Sequence, residues 1–240
     1  MRNPGINNVY VPLRQRPIVG PLNIYGLLAL AGILGLPVLI IASYTAAFTA
    51  PGYNIIRDSI SSLALTRMGW LQTIGFLAIG LLVEIYVAGL LFNIRPRRGF
   101  RLSVALLVFF GFLLLMTGAF HTNAAGVAPT IEGTIHGIAS KTVFVIFPVA
   151  VWFISFSIKH DPRWRHLFLY TMVTVILGFL LIVAVYLANN TNWFGLFERL
   201  LVWNMIIWVE VTAIRLLRLS LLGQHETVNV SPALKPKEQD

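Results

Sequence analysis

The sequence predicts an all-α, polytopic membrane protein with six transmembrane helices, both termini on the cytoplasmic side, and a short outward interfacial amphipathic helix. Three observations predict it. Of 240 residues, 57% are apolar and only 11% are charged, with a mean hydropathy of +0.79, whereas a soluble domain carries about a quarter charged residues. The apolar residues form six continuous runs, not an alternating pattern, which favours helices over strands whose edges lipid would leave unsatisfied. The basic residues, finally, collect in every second connection.

The elements follow in order. Residues 1–23, with Pro4, Pro12, Pro17 and Pro21, read as an extended cytoplasmic lead. Spans are expected at Ile24–Ala47, Trp70–Phe92, Leu102–Phe120, Ile138–Ile158, Leu167–Leu187 and Phe197–Leu219. Each is near the ~20 residues that a helix rising 1.5 Å per residue needs to cross a hydrocarbon layer. The first run is longer than a signal-peptide core and stays as an anchor, and Pro37 inside it is expected to kink the helix. Residues 24–220 then form one membrane domain. Residues 221–240, polar from Gln224 onward with Pro232 and Pro236, read as a disordered cytoplasmic tail.

Charge sets the orientation, because cytoplasmic loops retain Lys and Arg during insertion. Arg2, Arg14 and Arg16 precede the first span, Arg95, Arg97, Arg98 and Arg101 follow the second, and Lys159, Arg163 and Arg165 follow the fourth. Arg215, Arg218, Lys235 and Lys237 close the chain. The other side keeps only Arg57, Arg67, Lys141 and Arg199. The net charge of +9 is thus a topology signal, with an attraction to anionic lipid heads second. Spread over four short segments, it does not form a nucleic-acid-binding face. The chain has no cysteine, which excludes disulfides, thiolate nucleophiles and Cys-ligated metal clusters. It also lacks GxGxxG, P-loop, HExxH and GxSxG signatures. Gly75, Gly80 and Gly89 read as close helix packing, Trp70 and Trp193 as interface anchors, and Asn189-Asn190-Thr191 as a formal glycosylation sequon.

Candidate functional residues lie in two places. On the outward side, the loop APGYNIIRDSISSLALTRMGW places Ile55, Ile56, Ile60, Leu63 and Leu65 mostly on one helical face and Arg57, Asp58, Ser61 and Ser62 largely on another, the pattern of an interfacial amphipathic helix. The loop FHTNAAGVAPTIEGTIHGIASK brings His121, Asn123, Glu132, His136, Ser140 and Lys141 to the same membrane face. His121, Glu132 and His136, with Asp58, form a candidate metal set that would activate water. The competing expectation is that these side chains bond loop ends, with Asp58 paired to Arg57, Arg67 or Lys141. Inside the bilayer, Glu84 and Glu210 fall at one depth in the second and sixth spans. A buried carboxylate costs on the order of 3 kcal/mol there. If the two face each other one holds a proton and a proton relay or cation site results; otherwise each is neutral and bonds a neighbour such as Asn204, Thr212 or Tyr86.

The runs Pro51-Gly52-Tyr53, Arg57, Ile60-Ser61-Ser62-Leu63-Ala64-Leu65 and Gly69-Trp70-Leu71-Gln72, with Phe76 and Gly80, resemble a prokaryotic family catalogued as domain of unknown function 998. Gly118-Ala119-Phe120-His121-Thr122-Asn123 and Gly133-Thr134-Ile135-His136-Gly137-Ile138-Ala139-Ser140 resemble its second signature. The resemblance covers about residues 25–220 and implies a six-helix membrane architecture, similar to the DRAM-type proteins linked to lipid and membrane organisation. It draws attention to Arg57, Ser61, Ser62 and His136. Members often show Asp where Asn123 stands, His where Glu132 stands and an acid or amide where Gly137 stands, and these departures remove potential metal ligands.

The preferred expectation is a non-enzymatic protein of the cell membrane whose outward polar pocket binds a lipid head group or small solute. Arg57 and Lys141 would contact the anion, with Asp58, Ser61, Ser62, His121 and Asn123 around it. The alternative is a membrane-embedded lipid hydrolase using His136 and Glu132. A second alternative is a proton- or cation-coupled transporter using Glu84 and Glu210. Membrane lipids are the expected partners, and no cofactor is assigned.

Overall fold

The computed structural model describes residues 23–124 and 126–230, with side chains described as far as Leu222. The expectations for the lead before residue 23, and for the tail from residue 231, lie outside the described residues. Six long helices form: α1 (Ile24–Phe48), α2 (Gly69–Asn93), α3 (Phe100–Ala119), α4 (Ile131–His160), α5 (Phe168–Ala188) and α6 (Phe194–Val230). All six contain stretches long and apolar enough to cross a membrane, and there is no strand among the described residues. Side chains such as Ile41, Leu81, Phe92, Phe112 and Leu180 are exposed around the outside. An apolar girdle of this kind suits lipid and would drive association in water.

The helix ends explain where apolar runs and helices differ. α4 begins seven residues before the run from Ile138, because Thr130 caps it, its Oγ1 accepting from Gly133 N at 2.9 Å. A capped helix carries polar residues through its first turn, so Glu132 and His136 are helical. Asn23 likewise caps α1, accepting from Gly26 N at 2.9 Å. Pro37 lies inside α1 and Pro148 inside α4, each removing one backbone donor.

Each helix packs on its neighbours in chain order, and α6 returns to α1, closing a ring. α6 also touches α2 and α4 across the interior, whereas α3 and α6 do not touch. Glycine permits the closest approaches. A Cβ on Gly32 would lie 2.6 Å from Ala213 Cβ, and one on Gly89 would lie 2.5 Å from Leu216 Cδ2, both on the α1–α2–α6 seam. Gly75 and Gly80 fit Ala42 and Leu115 in the same way, so these glycines bring helices together. Asn23 Nδ2 donates to Ser220 O at 3.4 Å, which sets the start of α1 and the far part of α6 at one end of the bundle. The α2–α3 and α4–α5 connections, rich in arginine, share that end.

At the opposite end the α1–α2 connection departs from expectation. Residues 49–68 form turns and a five-residue 3₁₀ helix, Ser61–Leu65, in place of an amphipathic α-helix. Ile60, Ser61 and Leu63 point inward and are buried, whereas Ile55, Ile56 and Leu65 are exposed. The segment is a strap folded into the mouth of the bundle. Its backbone finds partners on α6, so it need not complete a helical ladder of its own.

Candidate functional site

The strap is held by the first turns of α6. Leu196 N donates to Ile56 O at 2.9 Å and Gly195 N to Arg57 O at 3.2 Å, so the amides that a helix N-terminus leaves unpaired are spent on strap carbonyls. Arg199 Nη1 donates to Ile55 O at 2.7 Å, Asp58 O at 2.8 Å and Gly195 O at 2.9 Å, while Nη2 donates to the Tyr53 hydroxyl. Glu198, fully inside, accepts from Ile60 N at 2.7 Å. One acid and one base, adjacent in sequence, thus grip successive parts of the strap, Arg199 at Tyr53, Ile55 and Asp58 and Glu198 at Ile60.

Below the strap lies a cavity of about 40 Å³. It is lined by α1, α2, α3, α4 and α6, and α5 takes no part. The walls are apolar, including Leu39, Phe76, Ile79, Val143, Phe144 and Met205, and the few oxygen-bearing side chains are Ser61, Thr117, Ser140 and Glu198. All four stand toward the strap end of their elements. The space is an amphipathic chamber, greasy in depth and polar at the lid.

The expected site residues divide between the strap and the α3–α4 connection. Arg57 is bound to Asp58, with Nε to Oδ1 at 2.7 Å and Nη2 to Oδ2 at 3.0 Å. Of the three partners considered for Asp58, Arg57 is therefore the one it takes. The hydrogen bonds from Arg57 hold the Asp58 carboxyl below the usual aspartate range against the upward push of burial, and Asn54 N adds a further bond. Arg57 spends Nε and Nη2 on this pair and on Gly52 O at 3.3 Å, and its side chain stays exposed. Ser62 Oγ closes locally on Ser59 O at 2.7 Å, and only Ser61 of the pair reaches the cavity.

The α3–α4 connection is tied mostly to itself. Glu132 Oε1 meets both His121 N and His121 Nδ1 at 2.7 Å on the exposed surface. Asn123 Oδ1 accepts from Thr130 N and Oγ1, each at 2.9 Å, and it presses so closely on Gly133 that a Cβ there would lie 2.1 Å away. His136 is buried, its Nδ1 directed at Phe120 O at 2.8 Å and Thr117 O at 3.1 Å. Glu132 and His136 are thus on one helix but employed in different places. Among the described residues no three His, Asp or Glu side chains converge as a metal set, so the candidate set of His121, Glu132 and His136 with Asp58 does not assemble. The physical reason is that Glu132 caps a loop amide and Asp58 answers its own neighbour. Lys141 is exposed with no salt bridge among the described residues.

The intramembrane acids stand on different helices. Glu84 lies against Gly111 of α3, and α3 does not touch α6, which carries Glu210. Among the described residues no hydrogen bond joins Glu84 to Glu210, whose Oε2 is buried without a partner. Asn204 donates to Thr174 O at 3.1 Å, and Tyr86 pairs with Thr212, so neither serves the acids. Glu198, Arg199 and Tyr53 are the residues that sequence reasoning missed. Their one sequence signal is an acid–base dipeptide in the first turn of a span, where most of the chain is apolar.

A family model described as "Protein of unknown function (DUF998)" matches residues 33–215, from the first helix into the sixth. No curated protein and no solved structure matches the chain.

Proposed function

This chain belongs to the family described as Protein of unknown function (DUF998), and on that premise we propose that it is a non-enzymatic binding protein for an amphiphile. A lipid of the cell membrane is the foremost guest, with its apolar part in the central chamber and its polar part beneath the strap. The strap end faces outward and the arginine-rich end faces the cytoplasm, a reading supported by the basic residues of alternate connections. The observation that carries the proposal is the chamber: five of six helices surround apolar space whose oxygen-bearing side chains stand at its lid. At about 40 Å³ it has room for roughly three waters by volume. Apolar walls give water few partners, however, and an alkyl segment fits them better. A longer chain enters further only as the strap lifts.

Filling the chamber from its wall tests this. A Cβ added to Gly35 meets Ile79 Cγ1 at 3.5 Å, an ordinary contact, so Gly35→Ala is tolerated and Gly35→Leu occupies the space. Protein purified in mild detergent is extracted with organic solvent and its lipid quantified by mass spectrometry. Native and Gly35→Ala protein are expected to retain lipid, and Gly35→Leu to retain less per chain. Lipid-free native protein, or equal lipid in all three, contradicts the proposal.

A further inference from the structure

The arginine-rich end carries a second feature, independent of the chamber. Between the α2–α3 connection and the last turns of α4 runs an open groove of about 570 Å³, lined by Arg97, Arg98, Gly99, Phe153, Phe156 and His160. Its construction is specific. Arg97 N donates to Ser157 Oγ at 3.1 Å, which fastens the connection to α4. Gly99 adopts φ +83°, and a Cβ there would lie 2.9 Å from Phe153 Cδ1, so glycine alone brings this backbone onto the ring without strain. Gly99 also begins α3 without a side-chain cap, which leaves the positive end of that helix toward the groove. Trp152 extends the aromatic wall, its ring 5.7 Å from Phe153 and 6.3 Å from Phe156.

The charges at this end are unbalanced. Asp161 is the single acid of the two arginine-rich connections, and it is fully buried and consumed by Arg163 and by Arg95 N. Neither Arg97 nor Arg98 has an acidic partner among the described residues. His160 commits Nδ1 to Phe156 O at 2.7 Å, leaving Nε2 for a ligand. Lys159 turns away, over the Phe168 ring at 5.3 Å. Depth matches charge: Phe156 and Phe153 lie four and seven residues before the end of α4 at His160, about 6 and 10 Å deeper at 1.5 Å per residue. Cations at the headgroup level above aromatic rings at the level of the first methylenes are complementary to one molecule of the bilayer.

We propose that this groove is a binding site for an anionic phospholipid of the cytoplasmic leaflet, its phosphate on Arg97, Arg98 and His160 and one acyl chain along Phe153 and Phe156. Each arginine near such a head group contributes about fivefold in affinity. The full-length protein in detergent is titrated with phosphatidylglycerol or phosphatidylcholine and bound lipid is counted by native mass spectrometry. Native protein is expected to prefer phosphatidylglycerol, and the Arg97→Gln/Arg98→Gln variant to lose more than about tenfold of that affinity. The Arg165→Gln/Arg218→Gln variant, which removes equal charge from exposed positions outside the groove, is expected to keep it. Phe156→Ala retains both arginines and is expected to weaken phosphatidylglycerol severalfold. An equal loss in the two charge variants would overturn the site, as would an unchanged Arg97→Gln/Arg98→Gln protein. Displacement of the lipid by millimolar sn-glycerol 3-phosphate would overturn it in favour of a soluble anion.

Discussion

Tyr53 receives a hydrogen bond from Arg199 and donates its own to Ser59 O at 2.9 Å, with the Arg199 guanidinium 5.6 Å from its ring centroid. Burial disfavours the phenolate and outweighs the opposing pull of Arg199, so the hydroxyl is pushed up to about 12. A folded-state value above the unfolded one means that this group's contribution is complete below pH 10.0 and is lost as pH rises toward about 12. An ultraviolet titration of native protein minus Tyr53→Phe should therefore show one phenol ionising near the upper value. Ionisation at the ordinary tyrosine value would mean that the strap does not cover it. Asp58 works in the opposite sense. Its lowered carboxyl contributes above the ordinary aspartate range and is lost only as pH falls through its own lower value. The residue scale is partly legible: Arg57 is one of three partners the sequence offers Asp58, whereas Glu198 and Arg199 stand out only as an acid beside a base in an apolar stretch. Only the fold reveals that Glu198 and Arg199 both turn to one strap, Arg199 to its carbonyls and Glu198 to the Ile60 amide.

Among the elements, the long helices are legible because twenty-odd apolar residues leave lipid-crossing helix as the consistent solution, and Gly75, Gly80 and Gly89 read correctly as packing positions. The strap is not legible, because its alternating faces fit an amphipathic helix equally well. What decides is tertiary: carbonyls of Ile55, Ile56, Arg57 and Asp58 find donors on α6, which propensity does not encode. Two substitutions should release it. A Cβ on Gly195 would lie 2.3 Å from Asp58 O, a backbone atom that has to retreat. Arg199→Gln removes a buried cation from several oxygens, a loss of about 3 kcal/mol or more where a buried charged network is broken. In hydrogen exchange by mass spectrometry, Gly195→Ala and Arg199→Gln are each expected to speed exchange across residues 53–62 while leaving the interior of α3 protected. Unchanged strap exchange in both would show that α6 does not hold it.

For the whole molecule, six antiparallel helices make two chemically different ends. One end gathers arginines whose two connections hold a single, buried acid, Asp161, and the other gathers a strap, a lid of polar groups and the chamber beneath. Span number and the sharing of one end by α1's start and α6's far part follow from apolar runs and loop charge. The chamber does not, since it depends on which faces of five helices meet and on α6 crossing toward α2 and α4. The central claim is that a lipid reaches this chamber from outside by way of the strap. Because the chain has no cysteine, an Ile56→Cys/Leu196→Cys pair, placed where the two backbones bond at 2.9 Å, offers a selective lock. Reconstituted into vesicles and oxidised, this variant should exchange radiolabelled phospholipid at least about tenfold more slowly than after reduction by a membrane-impermeant phosphine added outside. Equal exchange in the locked and reduced forms would contradict the account.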